Sequence, residues 1–332
     1  MTTTAVQASS KSKAASKPAV AAPAGQTTSI AEIKAIFESQ QANQMAVGNS
    51  TVKERKQKLK KLFAAVLANK QEIRDAMYAD FRKHPSEVDL TEIYPVTGEL
   101  KHAISHLSTW MRPKRVATSM ALLGSSSHIR YEPKGVVLII SPWNFPINLT
   151  FGPLVAAIAA GNCVVIKPSE MTPHSSAVIK KIIEGIFDKN EVAVVEGAVE
   201  TSTAVLDLPF DHIFFTGSPS VGKIVMEAAS KHLTSVTLEL GGKSPTIVDE
   251  TADLTAAARR ITWAKYVNNG QVCIAPDYVF VHESKKDEFL EKVRETLTKF
   301  YGENAQQSSS YARIVNERHY KRVAGLVEQA KK

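Results

Sequence analysis

The stretch NNGQVCIAP, residues 268–276, carries one of the two cysteines of the chain. A thiol that loses its proton is a strong nucleophile, and loops with polar and glycine neighbours are where such groups stand. Cys273 follows Asn268, Asn269 and Gly270, a helix-ending sequence. Taken alone, it fits a packed core position better, because free cysteine is among the most buried residue types. Cys163, in NCVVIKP, reads as such a residue, packed inward on a strand. Two further segments add chemistry. VTLELGGKSP (236–245) places Glu239 in an apolar strand just ahead of Gly241 and Gly242. Burial there would raise its carboxyl toward the range of a useful base, and the glycine pair lets another backbone or a cofactor pass close by. SPWNFP (141–146) holds Asn144 between Pro142 and Pro146, which pin the backbone. An amide held that way can donate hydrogen bonds to an oxyanion.

HIFFTGSPSVGK (212–223) reads as strand, turn and helix, with Gly217 and Gly222 bracketing the turn. Backbone N–H groups at a helix start favour an anion, and glycine permits its close approach. Three readings stand side by side. GSPSVGK matches the GxxxxGK of a P-loop, and TIVDE (246–250) imitates the acidic strand that accompanies one. Ile224, however, occupies the place where a P-loop needs a hydroxyl for magnesium. A dinucleotide pyrophosphate site is the second reading, although the usual GxGxxG is absent. A plain strand–helix turn is the third.

These residues need a scaffold. GVVLIIS (135–141), CVVIKP (163–168), VAVVEG (192–197) and HIFFTG (212–217) are short apolar runs separated by helical stretches. Such strands make a parallel sheet covered on both faces, with ligands beyond the carboxyl ends of the strands. SPTIVD (244–249) and YVFVHE (278–283) read as strands of a second α/β unit starting near Leu238. Helices are expected at 252–269, 284–301 and 315–330. ALLGSSSHIRYEPKG (121–135) reads as a hairpin or crossing arm. Residues 1–28, rich in Ala, Ser, Thr and Pro, cannot bury enough apolar surface to fold and read as a disordered tail. Acid-poor leaders also serve as targeting segments, but the lack of arginine, with Pro18 and Pro23, argues against an amphipathic import helix.

Composition excludes several classes. Apolar residues make up 44% and charged residues 22% of 332, as in a folded protein of about two domains. No apolar run is long enough for a membrane span; LTFGPLVAAIAAGNCVVI (149–166) is broken by Pro153, Gly161 and Asn162. Two cysteines without a CxxC pair exclude a disulfide framework and a thiolate zinc site, and fit a reducing compartment such as the cytoplasm. His102 and His106, without HExxH around them, read as a surface or packed pair, so no metal is expected. The net charge of +8 suggests nucleic acid, yet its densest run, KERKQKLKK (53–61), leads into Leu59, Leu62, Phe63, Val66 and Leu67 on one helical face. Those lysines are then a solvated helix side, and nucleic-acid binding is not expected.

SPWNFP, GNCVVIKPSE, FFTGSPSVG, LELGGKSP and GQVCIAP, in this order and spacing, resemble the aldehyde dehydrogenase superfamily over about residues 30–332. The intervals of 17 residues from Gly222 to Glu239 and 34 from Glu239 to Cys273 match the family. WMRPKRV (110–116), IRYEPKGVVLIISPWNFP (129–146) and YARIVNERHYKRV (311–323) resemble its class-3, fatty aldehyde dehydrogenase-like branch. The resemblance implies a Rossmann-like NAD(P)-binding domain at 29–237, with a bridging arm at about 119–135, and the N-terminal part of an α/β catalytic domain at 238–332. It implies that Cys273 attacks an aldehyde to give a thiohemiacetal and then a thioester. Asn144 and the Cys273 N–H would hold the oxyanion, and Glu239 would activate the water that releases the acid. Gly217, Ser218 and Gly222 fall on the pyrophosphate turn, Lys167 and Glu170 on the adenosine ribose, and Trp143 among the cofactor contacts. NAD is the implied cofactor with NADP tolerated, the substrate an aliphatic or aromatic aldehyde, and the assembly a homodimer.

The resemblance also implies a downstream Glu-aromatic/aliphatic-Phe-Gly-Pro segment whose glutamate grips the nicotinamide ribose. Residues 274–332 hold no match, FYGEN (300–304) included. A C-terminally incomplete catalytic domain is therefore expected, from a fragment, a truncated product or a short protein. The alternative function is a dinucleotide-binding or subunit-interaction remnant.

Overall fold

Val136–Ile140 reads VVLII, and all its side chains are buried. A strand apolar on both faces belongs in the middle of a covered sheet. The computed structural model, which describes residues 27–332, places it there. The expectations for residues 1–26 lie outside the described residues. Thr28, expected at the end of a tail, is instead held by Glu196: its N–H donates to the Glu196 carbonyl at 2.8 Å and its hydroxyl accepts the Glu196 N–H at 2.9 Å.

The described residues open with helices α1 (Ile30–Gly48), α2 (Val52–Ala68), α3 (Lys70–Phe81), α4 (Pro85–Val88) and α5 (Tyr94–Trp110), with a π-helical turn at Asp89–Ile93 before α5. An antiparallel ribbon follows, β1 (Lys114–Val116) with β2 (Ser127–Ile129), so the expected arm starts earlier than the sequence suggests. Then strands and helices alternate: β3 (Val136–Ile140), α6 (Asn148–Ala160), β4 (Cys163–Lys167), α7 (Pro173–Glu184), β5 (Val192–Val194), α8 (Val199–Leu206), β6 (His212–Thr216), α9 (Pro219–Ser230) and β7 (Ser235–Glu239). The strands form one parallel sheet in the order β5-β4-β3-β6-β7. It runs to Glu239, so the expected division at 237/238 cuts through β7. Chain order reverses direction between β3 and β6, the switch point where ligands bind in open α/β sheets.

Alternation along β3 divides the core. Val137 and Ile139 pack under α2, α3, α5, α6 and α7, while Val136, Leu138 and Ile140 pack under α1, α8 and α9. In α2 a capping box, Thr51 with Glu54, starts the helix, and Leu59, Leu62 and Val66 are fully buried. Phe63 is half-buried, and Leu67, expected on the same face, is 45% exposed because it lies one position past the buried stripe. The lysines of 53–61 form the outer side, as expected of an amphipathic helix. No described helix is long and apolar enough to cross a membrane.

A smaller unit follows. β8 (Ser244–Val248) pairs in parallel with β9 (Pro276–Val281), covered by α10 (Leu254–Tyr266) and α11 (Lys286–Tyr301) around Val248, Leu254, Ala258 and Phe289. α12 (Glu317–Ala330) ends the chain. These three helices lie within the stretches expected from sequence.

A buried ion pair braces the loop after β3. Lys83 and Glu92 have no exposed side-chain surface and meet at 3.1 Å. The second Glu92 oxygen accepts the Asn148 N–H at 2.9 Å, and the Lys83 ammonium lies 4.7 Å from the Phe145 ring centroid. Burial pushes the Glu92 carboxyl above its ordinary range, against the opposing pull of Lys83 and the N–H donors. Removing one partner strands the other charge in the core. Lys83→Met is therefore expected to lose about 3–5 kcal/mol of stability, measured by urea unfolding. A loss below about 1 kcal/mol would mean that the pair is not dry.

Candidate active site

The loop from Ser141 to Ile147 leaves the carboxyl end of β3, and the turn at Gly217 and Ser218 leaves that of the adjacent β6. Both therefore face the switch-point crevice. Ser141 N–H ties the first loop to the Lys167 carbonyl at 3.0 Å. Asn144 is half-buried there, and its Nδ2 donates to the Gln271 carbonyl at 3.0 Å. An amide nitrogen has two hydrogens, so one remains for another acceptor.

Gln271 stands two positions before Cys273, so this bond brings the β3 loop to the cysteine loop. Cys273 is exposed, whereas Cys163 is buried. Burial, with the nearby Glu191 charge, pushes the Cys163 thiol up to about 11, leaving it inert near neutrality. The Gln271 side chain is a staple that the sequence did not reveal. Its Nε2 donates to the carbonyls of Asn268 at 2.9 Å and Arg313 at 3.1 Å, and its Oε1 accepts the Val315 N–H at 3.0 Å. The YARIV segment thus lies directly against the cysteine loop.

The segment that carries Glu239 approaches the cysteine loop from the other side. It is the last residue of β7, and its carbonyl accepts the Gly217 N–H at 2.9 Å, joining it to the glycine turn. Three residues later the chain touches the cysteine loop: a Cβ on Gly242 would stand 2.8 Å from the Cys273 carbonyl oxygen. Only glycine fits that crossing, as the pair in LELGGK suggested. The expected burial of Glu239 is corrected. Its side chain is exposed, because β7 is an edge strand and Glu239 is its final residue.

The cofactor candidates divide between the crevice and its flank. Lys167, at the end of β4, is buried, and its ammonium meets Glu170 at 2.8 Å. Burial pushes the Glu170 carboxyl up, but the Lys167 hydrogen bond and charge, with Arg318 adding to them, hold it below its ordinary range. Glu170 borders a cavity of about 740 Å³ between the ends of β4 and β5, lined also by Ser169, Lys180, Glu196 and Gly197. Gly197 has φ +147°, and a side chain there would collide with Thr201. At the turn, Ser218 caps α9, its hydroxyl accepting the Val221 N–H at 3.4 Å. A Cβ on Gly217 would meet the Phe215 ring at 2.5 Å. Gly222 is buried within α9, 3.1 Å from Leu240 by the same measure, so it serves helix–strand packing. Trp143 lies against His319 of α12, ring centroids 5.0 Å apart. The P-loop reading fails on two counts: Ile224 offers no oxygen, and TIVDE belongs to the β8–β9 sheet rather than beside β6.

His102 and His106 stack on each other at 4.2 Å on the surface of α5. Among the described residues no group of three or more His, Cys, Asp or Glu side chains is placed to hold a metal ion.

The chain matches the model of the aldehyde dehydrogenase family over residues 6–332. It is 47% identical over 297 residues to the 4,4'-diaponeurosporen-aldehyde dehydrogenase of Staphylococcus aureus, covering 90% of this chain and 63% of that protein. It is 45% identical over 277 residues to aldehyde dehydrogenase family 3 member A2 of Pongo abelii, covering 83% of this chain and 57% of that one. It is 44% identical over 277 residues to the dimeric NADP-preferring aldehyde dehydrogenase of Mus musculus, covering 83% and 61%. The fold is similar to the solved substrate-bound state of Staphylococcus aureus AldH, with TM-score 0.86 and 45% identity over 90% of this chain and 65% of that one. The chain thus spans less than two thirds of the length of these proteins. Its motifs, its parallel sheet and its matches agree: the chain belongs to the aldehyde dehydrogenase family, with class-3 members among its relatives.

Proposed function

We infer that this chain carries the site for NAD(P)-dependent oxidation of an aliphatic or aromatic aldehyde to its carboxylic acid. The observation that supports this reading most is the convergence of three segments. Asn144 is bonded to the cysteine loop, and Gly242, three residues beyond Glu239, passes so close to the Cys273 carbonyl that only glycine fits.

The residues would act as follows. The Cys273 thiolate adds to the aldehyde carbon, and the C–S bond that forms moves the carbonyl electrons onto oxygen. The free Asn144 N–H and the Cys273 backbone N–H receive that oxyanion. The bound dinucleotide supplies the hydride acceptor. Cys273 is left holding the acyl group as a thioester. Glu239, exposed to solvent, takes a proton from water as it attacks that thioester, releasing the acid and the thiolate.

The polar groups around the 740 Å³ cavity suit a dinucleotide. Lys167 and Glu170 would hold the adenosine ribose, with the Gly217–Ser218 turn and the start of α9 toward the pyrophosphate. Trp143 would border the cofactor from the β3 loop. Glu170 repels a 2′-phosphate, while Lys167 and Arg318 attract one. NAD with tolerance of NADP follows, in line with the NADP preference in the name of the mouse relative. That relative is named as dimeric, which supports a dimer, and the unpaired cysteines suit the cytoplasm.

Turnover tests the reading. Purified protein given NAD and a long-chain aldehyde should form reduced cofactor and carboxylic acid in equal amounts; folded protein that binds NAD but forms neither contradicts it. Asn144→Ala should lower kcat by about 10²–10³-fold with little change in KM, because the donor acts on charge that exists only in the transition state. Steady-state kinetics with a saturating aldehyde check this.

A further inference from the structure

We propose that Asn268 is the positioning residue that fixes Asn144 and the Cys273 loop as one unit. This rests on the reading of Asn144 and Cys273 given above. Three consecutive residues, Asn268, Asn269 and Gly270, have left-handed backbone, with φ +52°, +55° and +74°. Two non-glycine residues in that region cost conformational energy, and something must hold them there.

The Asn268 side chain supplies the reason. It is fully buried. Its Nδ2 donates to the Asn144 carbonyl at 2.8 Å and to the Gln271 carbonyl at 3.2 Å. The Asn144 side chain donates to that same Gln271 carbonyl at 3.0 Å. The three groups close a ring: Asn268 holds the Asn144 backbone, Asn144 holds Gln271, and Asn268 holds Gln271. Two carbonyls facing one amide fix its orientation, because the opposite rotamer would set oxygen against oxygen. The cost is visible, since the buried Asn268 Oδ1 has no partner. Outside the ring, the Asn268 N–H donates to Glu87 at 2.8 Å, anchoring the unit to α4. Without Nδ2 a single bond, from Asn144 Nδ2 to the Gln271 carbonyl, is left to join the oxyanion donor to the nucleophile's loop, and the two would move more freely against each other.

Asn268→Gly tests this directly. Glycine suits the left-handed backbone, so the variant is expected to fold, while both Nδ2 donors are gone. Asn269→Gly is the control, changing the backbone in the same way. Among the described residues the Asn269 side chain makes no hydrogen bond. Hydrogen exchange of the Trp143–Phe145 and Gln271–Ile274 amides should accelerate on the order of tenfold in Asn268→Gly, in both segments together, and not in Asn269→Gly. Its kcat should fall by about a hundredfold with KM nearly unchanged, as misplacement rather than lost binding requires. A folded Asn268→Gly protein whose Trp143–Phe145 exchange matches wild type, or whose kcat stays within about twofold of it, overturns the proposal. If wild type itself does not oxidise aldehydes, the functional reading fails, and the paired exchange measurement still decides whether Asn268 joins the two loops.

Discussion

Replacing Cys273 with alanine is expected to reduce aldehyde oxidation by on the order of 10⁴-fold or more while leaving dinucleotide affinity almost unchanged. The two effects separate because of where the parts lie. The cavity assigned to the cofactor sits beyond β4 and β5, lined by the loops that leave those strands and by α7. Cys273 projects from the loop between α10 and β9 of the smaller unit. Removing its sulfur leaves Lys167, Glu170 and the Ser218 cap in place. The other thiol cannot take over, since Cys163 is fully buried on β4 and burial holds its proton on. Calorimetric titration with NAD, beside steady-state assays, measures both quantities. A Cys273→Ala protein that oxidises aldehyde at even a tenth of the wild-type rate would falsify the nucleophile assignment.

Glu239→Gln should divide the reaction in two. In the mechanism proposed above Glu239 acts only after acylation, so one equivalent of reduced cofactor should appear at close to the wild-type rate. Hydrolysis of the thioester should then slow by about 10²–10⁴-fold, the usual worth of a positioned base. The geometry favours this separation. Glu239 ends an edge strand and its side chain meets solvent, so water reaches it, while its carbonyl holds the Gly217 N–H and Gly242, three residues on, passes close beside the Cys273 carbonyl. Rapid-mixing kinetics read the burst and the steady state in one trace. Steady turnover at the wild-type rate, without a burst, would assign deacylation to another group.

Much of this was legible in the sequence, and the reason differs from element to element. β3, β4, β5 and β6 could be read because strands buried on both faces are continuous apolar runs. The turn after β6 could be separated from a P-loop at one residue, Ile224, because magnesium needs an oxygen there. The exposure of Glu239 could not be read. The sequence identifies its strand as apolar, but only the strand order places β7 at an edge, and edge position decides burial. That β7 belongs to the first sheet is hidden for the same reason, since Ser235–Glu239 pairs with β6 across a whole helix of intervening chain. Leu67 lies one step off the buried face of its helix, a difference that a heptad-like pattern does not resolve. The hardest features to see were the staples. Gln271 and Asn268 hold backbone carbonyls of Arg313 and Asn144, and a carbonyl carries no residue type for a pattern to reveal. The Lys83–Glu92 pair was equally hidden, because nothing in the sequence marks a lysine that lies wholly inside the core.

We propose above all that Cys273 becomes the acyl carrier. The most direct measurement is peptide mass mapping of acid-quenched protein, taken milliseconds after mixing with NAD and a long-chain aldehyde. The peptide containing Cys273 should gain the mass of the acyl group, dependent on NAD, and the Cys163 peptide should not. Reduced cofactor formed with Cys273 unmodified at every time point, or an acyl group on another residue, would contradict it.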